Sequence, residues 1–184
     1  MLLPVLAYGS PILHKKCLDI QSDYPDIDIL IENMWETMYA ASGVGLAAPQ
    51  IGKSIRIFII DTNPLVEEDN DTHPIKRVFI NPTILDESGE KWLFNEGCLS
   101  IPDIREDILR YSDIKIKYQD HKFEWHIDKF DGVTARVIQH EYDHIEGIIF
   151  TDRISPLRKR MIKRRLHNIS KGEIDVSYNM RFHR

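Results

Sequence analysis

Two histidines four residues apart, in His140-Glu141-Tyr142-Asp143-His144, constrain this chain more than any other feature. Val133, Val137, His140 and His144 fall on overlapping turns, so a helix is expected to open near Gly132 and to stop at Gly147, just after Glu146. Residues four apart on a helix stack on one face. Two imidazoles so placed can grip one cation, and Glu141, beside the first, can reach a water on it. The pattern fixes only three positions and also arises by accident, so its weight depends on what the rest of the chain supplies.

A catalytic metal site generally takes three protein ligands and keeps a further position open. Three candidates compete for the third place. Asp143 points off the histidine face, and Glu146, about 200° round the helix from His144, also faces away. Cys98 lies 42 residues before His140, where tertiary folding can bring it beneath the helix. A thiolate with two imidazoles is a sound set, and coordination would hold Cys98 deprotonated. The alternative for Cys98 is a buried structural thiol, which is also the reading for Cys17. With only these two cysteines, a disulfide is not expected.

At 184 residues the chain can form one domain with a substantial core. No apolar run approaches the roughly 20 residues that span a bilayer. Met1–Leu6 lacks a charged start and meets Tyr8-Gly9-Ser10-Pro11 too soon for a signal peptide, so a cytoplasmic location is expected. The net charge of −5 is unevenly spread: residues 153–184 hold ten Lys and Arg against Glu173 and Asp175, giving +8, and leave −13 for the rest. A basic end on an acidic body suggests a polyanionic neighbour, nucleic acid first, against the plainer reading of a solvated helix face.

Ile27, Leu30, Ile31, Met34, Trp35 and Met38 predict an amphipathic helix over residues 26–41, with Pro25 before it and Gly43 as its terminating glycine. Strands are predicted at 55–60, 77–80, 90–94 and 114–118, with 123–127 pairing to the last across a polar turn. Residues 63–74, rich in acids between prolines, read as a surface loop. Ser155-Pro156 opens a last helix to about Ser170. The expected fold is α+β: a single compact domain over 1–184, with antiparallel or mixed strands round a central H-E-x-x-H helix, an N-terminal helix, and a basic C-terminal helix and tail over 156–184.

Gly43-Val44-Gly45-Leu46-Ala47-Ala48-Pro49-Gln50, Glu96-Gly97-Cys98-Leu99-Ser100 and Gln139–His144 stand in this order along the chain. They resemble the three motifs of the peptide deformylase family, G-x-G-x-A-A-x-Q, E-G-C-x-S and Q-H-E-x-D-H. The resemblance runs from Tyr8 to the region around Pro156. It implies Cys98, His140 and His144 as metal ligands and Glu141 as the catalytic acid and base. The implied reaction removes the formyl group from the N-terminal formylmethionine of new polypeptides and releases formate. The side-chain amide of Gln50 and the backbone N–H of Leu99 are then the oxyanion donors, and losing one such donor typically costs roughly 10²–10³ in rate.

Further implied roles concern the substrate. Gly43 and Gly45 let backbone approach the peptide without an intervening Cβ, and Gly45 is expected to bond its main chain. Val44, Val133 and Val137, with the aliphatic stem of Arg136, are the expected walls of a methionine pocket. Arg105 is placed near its entrance, and Glu96 is grouped with the substrate-binding residues. Thr134 and His14 depart from the residues common in the family, leucine and arginine. Thiolate and imidazole suit zinc as well as iron. The resemblance implies Fe²⁺, with Zn²⁺, Ni²⁺ or Co²⁺ as substitutes, N-formylmethionyl nascent peptides as substrate, and a ribosome contact through the basic C-terminal region. Two other readings compete: a zinc endopeptidase on the same helix, and a structural metal or nucleic-acid-binding module. The third-ligand cysteine argues against the first, and Glu141 against the second, since a structural site has no need of an acid beside its ligand.

Overall fold

Period-two alternation runs much further than residues 114–118. The even-numbered positions from Ile104 to Ile108 and Arg110, and again from Ile114 to Tyr118, are buried, while most odd-numbered neighbours are exposed. One strand of 19 residues results, β5 (Ile101–Gln119), paired antiparallel with the 23-residue β4 (Lys76–Cys98). The separate strands expected at 77–80 and 90–94 are therefore two stretches of β4. The polar residues between them hid its continuity, since a strand exposed on both sides carries no apolar signal.

The computed structural model describes residues 1–65 and 74–183. The fold is α+β. Its main sheet has the order β2-β3-β4-β5-β6 and is antiparallel throughout, with β2 at Gly45–Ala47, β3 at Ile57–Asp61 and β6 at Trp125–Phe130. Helix α1 (Ile27–Ala40) and helix α2 (Gly132–Ile145) fall where helical spacing placed them. Strand β3 shows why the chain there is apolar without a break. Phe58 and Ile60 enter the cluster that holds Ala135 and Ile138 of α2, while Ile57 and Ile59 join Met34 and Met38 of α1. The last helix, α3 (Pro156–Lys171), is capped by Ser155, whose side chain accepts from the Arg158 N–H. It buries Ile162, Leu166 and Ile169 against Leu6, Ile104, Ile108 and Phe150.

Some expectations fail in detail. The left-handed residue after α1 is Ser42, with φ 54°, and not Gly43. Gly147, with φ 78°, does stop α2. Asn63–Leu65 is a 3-10 turn, and the expected loop at 66–73 lies outside the described residues. The tail does not trail away: β7 (Met180–Arg181) pairs in parallel with β1 (Val5–Leu6), a two-residue ladder too short to register as periodicity. Among the described residues no helix is long and apolar enough to cross a membrane.

Candidate metal centre

Helix α2 buries more polar than apolar side chains. Arg136, Gln139, His140, Glu141, Asp143 and His144 are all buried, because the helix runs behind β2, β3 and β5. Such groups cost free energy unless each finds a partner. Most do. Asp143 accepts from Arg110 Nη1 at 2.6 Å and also pairs with Arg153. Glu96, near the end of β4, accepts from Arg110 at 2.7 and 2.9 Å and from Arg136 at 3.1 Å. Burial pushes the Glu96 carboxyl up, but Arg110 and His140 overcome this and hold it well below the usual carboxylate range. Glu146 turns outward to Arg56 and Lys16.

Cys98 ends β4 directly beneath this helix. Its Sγ lies 3.2 Å from His144 Nε2, and one donor atom each from Cys98, His140 and His144 fall within 4.8 Å of one another. Asp143 and Glu146 are not in the group, so of the three candidates for third ligand the fold brings in Cys98. His140 Nδ1 lies 2.9 Å from Glu96 Oε2. The carboxylate accepts its proton there, fixing the ring and leaving Nε2 as a lone-pair donor. Burial pushes the His144 imidazole well down, which keeps it neutral as a ligand must be. Burial acts the same way on His140, but Cys98 and Glu96 outweigh it and draw that ring up.

Four buried atoms of α2 lack a partner among the described residues, Arg136 Nε, Gln139 Oε1, Glu141 Oε2 and His144 Nδ1, and of these only the Glu141 oxygen belongs to a carboxylate. Burial, the largest influence on Glu141, pushes its carboxyl up to about 7. Both Glu141 and His140 face a cavity of about 470 Å³. A sulfur and two ring nitrogens converging beside an unsatisfied carboxylate oxygen fit a divalent transition-metal ion with an acid–base group next to it. A second donor group, Asp120, Glu124 and His126, sits at the β5–β6 turn. There Asp120 already caps the Lys122 and Glu124 N–H groups and bonds His126, and among the described residues no buried unsatisfied carboxylate accompanies it.

The cavity gathers most of the expected site. Gln50 is buried with its Oε1 fixed by the Ala47 N–H at 2.8 Å, which aims its Nε2 at Cys98 Sγ (3.4 Å) and Ser100 Oγ (3.3 Å). Gly43, Val44, Gly45 and Leu99 line the same space, as do Val137 and the stem of Arg136. The Arg136 guanidinium is engaged elsewhere, on Glu96 and on the carbonyls of Trp92 and Ile108, 4.7 Å from the Trp92 ring centre. Arg105 stands at the rim, tied to Asn95 and packed over Gly97.

Two expected residues behave differently. Val133 is not brought to the cavity; one turn before Val137, it packs on the apolar cluster that includes Phe79. Glu96 reaches the lining, yet both its oxygens are taken by Arg110, Arg136 and His140, so it supports a ligand and has no oxygen left for a peptide. Sequence reading missed Arg110, which joins Glu96 to Asp143. The alternation Ile104-x-Glu106-x-Ile108-x-Arg110 was the available signal, since it puts two charges on a buried strand face. Thr134, a departure from the family, meets Thr62 at 3.3 Å, a polar contact leucine could not make.

Comparison with known proteins agrees with this geometry. The sequence model of the polypeptide deformylase family matches residues 2–160. A peptide deformylase of Christiangramia forsetii is 54% identical, covering 99% of this chain and 96% of that one. One of Cytophaga hutchinsonii is 48% identical, covering 99% and 98%. The crystal structure of a Legionella pneumophila peptide deformylase superposes with a TM-score of 0.81 at 32% identity, over 94% of this chain and 98% of that one. That of Thermotoga maritima gives 0.75 at 39% identity, over 85% and 99%.

Proposed function

The chain belongs to the polypeptide deformylase family, and from this we propose that Cys98, His140 and His144 hold one divalent cation while Glu141 handles the proton of the hydrolysis. The activity is removal of the N-terminal formyl group from nascent polypeptides. The observation that carries the site assignment is the meeting of three ligand atoms within 4.8 Å beside a buried Glu141 oxygen that no group among the described residues satisfies.

Cys98, His140 and His144 would hold the cation, whose chemistry when bound would be to lower the pKa of water from about 15.7 toward about 7. Glu141 takes the proton released and passes it to the departing amine, which its raised pKa suits. Gln50 Nε2, already aimed at the site, and the Leu99 N–H face the oxygen on which charge builds. Glu96 keeps the His140 ring in one tautomer, and Arg110 keeps Glu96 charged. Val44, Val137 and the Arg136 stem form the wall against which an unbranched methionine side chain lies, with Gly45 open to the peptide backbone. Formate release from formyl-Met-Ala-Ser, with none from a blocked internal peptide of equal length, is expected. Cleavage of the internal peptide would return the endopeptidase reading.

Fe²⁺ is the proposed native metal, with Zn²⁺, Ni²⁺ or Co²⁺ able to replace it; the sulfur and nitrogen donors accept all four. Metal analysis after anaerobic purification tests this, and full activity in a zinc-only sample free of iron overturns it. We place the reaction in the cytoplasm, where formylated chains emerge. The ribosome contact rests on Arg160, Lys163, Arg164 and Lys171, exposed on α3, whereas Arg158 and Lys159 are paired with Glu106 and Asp152. Reversing the charges of Arg160, Lys163 and Arg164 is expected to abolish salt-sensitive co-sedimentation with ribosomes. Unchanged co-sedimentation removes the proposal.

A further inference from the structure

Leu99 and Ser100 form the turn between β4 and β5, closed by the pair Cys98–Ile101. Two-residue hairpin turns are favoured when one or both residues take positive φ. Neither Leu99 nor Ser100 does. The turn is held instead from outside. The Tyr8 N–H donates to Ser100 O at 2.8 Å, Gln50 Nε2 to Ser100 Oγ at 3.3 Å, and the Tyr178 hydroxyl to Leu99 O at 2.6 Å. A few residues on, Asp103 sits at φ 60° in the irregular start of β5, and Arg165 of α3 donates to its carbonyl.

Two of these four contacts come from the C-terminal region. Tyr178 lies beyond residues 2–160, the span matched by the family model, and it also lines the cavity that holds Cys98 and Glu141. It is fixed in place: residues 179 and 181 bond Val5 and Ala7 across the β1–β7 ladder, and Phe182 and Met180 pack on the α3 cluster.

We propose that Tyr178 is a positioning and substrate-wall residue: its hydroxyl, by gripping Leu99 O, fixes the turn that presents the Leu99 N–H, and its ring closes one side of the peptide site. This rests on the role given to Leu99 above. The basic end of the chain thus has a second task besides any charge it displays, since it folds back to complete the site.

The test compares Tyr178→Phe and Tyr178→Ala with the unaltered, metal-loaded enzyme, using formyl-Met-Ala-Ser. Tyr178→Phe removes only the hydroxyl. It is expected to lower kcat about fivefold, the factor a net hydrogen bond is worth, with KM unchanged. Metal content should stay level, the melting temperature should fall by no more than a few degrees, and amide exchange across residues 97–105 should quicken. Tyr178→Ala should add a rise in KM, because the wall is gone. A kcat loss under about twofold, or unchanged exchange, overturns the positioning role. So does a loss matched by missing metal or by unfolded protein at the assay temperature. A KM for Tyr178→Ala equal to that of Tyr178→Phe removes the ring from the wall. If the unaltered enzyme releases no formate, the functional reading fails instead, before any variant is made.

Discussion

Gly45→Ala isolates the geometry on which the reaction depends. A Cβ built at Gly45 meets Glu141 Oε1 at 2.3 Å, Cδ at 2.8 Å and Cγ at 2.9 Å. Ordinary contacts begin near 3.5 Å, so the carboxylate must retreat by about 1 Å. It has little room, since Glu141 is buried and the 2.9 Å approach to Cγ obstructs its stem as well as its tip. Gly45 has no positive φ, so the backbone accepts alanine and the cost falls on Glu141 alone. A displacement of about 1 Å at a reacting group can cost roughly 10²-fold. We expect kcat for formyl-Met-Ala-Ser to fall by about that factor while bound metal stays level, because no ligand touches the new methyl. Formate release coupled to formate dehydrogenase measures it. Gly43→Ala is the internal control: its Cβ meets the free end of Leu99, Cδ1 at 2.8 Å, which can swing aside, so the loss should be smaller. A Gly45→Ala enzyme within threefold of the original, or one weaker only through metal loss, refutes the reasoning.

Four further outcomes follow from the same contacts. Glu141→Gln should lose about 10²–10⁴ in kcat with metal retained, checked by metal analysis beside the rate; a rate near the original would remove Glu141 from the chemistry. Cys98→Ser should shed the cation on dialysis while the far-ultraviolet circular dichroism is kept, and stoichiometric metal after dialysis would contradict a three-ligand site. Arg110→Met leaves Glu96 and Asp143 buried without their shared partner, so about 3–5 kcal/mol of stability should go, lowering the melting temperature by on the order of 10 °C. Glu146 concerns acid stability. Burial pushes its carboxyl up, but hydrogen bonds from Lys16 and Arg56 more than offset that, so it titrates below its ordinary 4.5 in the folded chain. Its stabilising contribution is complete above about pH 4.5 and disappears as pH falls through the lowered folded value. Glu146→Gln should therefore weaken the protein at pH 7 and flatten its acid limb, whereas denaturation midpoints that run parallel to the original from pH 7 to about 3 would exclude the pair as a source of acid sensitivity.

Much of this was legible in the residues. Helices α1, α2 and α3 show because an amphipathic face repeats over several turns, and because Ser155, Pro156 and Gly147 mark ends by local chemistry. The meeting of Cys98, His140 and His144, the proposed ligands, was legible because two of them share one helix and the third stands in a short motif. What escaped has a common character. Strand β4 was read in pieces because residues such as Asp86, Glu87, Ser88 and Glu90 are exposed there and carry no burial signal. Val133 and Val137 are one helical turn apart, and spacing alone could not tell that only Val137 reaches the cavity. Tyr178 and Tyr8 act on the Leu99–Ser100 turn through single polar atoms, across 79 residues in the first case. A long-range contact of that kind leaves no periodicity.

The distribution of unsatisfied groups on α2 gives the site its direction. A helix that buries an arginine, two histidines and two carboxylates stays folded only if their charges are answered. For two carboxylates they are: Arg110 sits between Glu96 and Asp143, and Arg136 and Arg153 complete the set. Through Glu96 this network also fixes the His140 ring. Among the described residues the accounting stops short at Glu141 Oε2, whose residue lines the cavity, and at His144 Nδ1, Arg136 Nε and Gln139 Oε1. Satisfying Glu141 with an arginine would lower its pKa and remove it as a proton carrier near neutral pH. The same helix thus carries one carboxylate whose charge is secured, Asp143, and another whose burial is left uncompensated, Glu141. One residue separates them, and they face opposite ways; on the proposed function, that difference in partners separates a structural acid from a catalytic one.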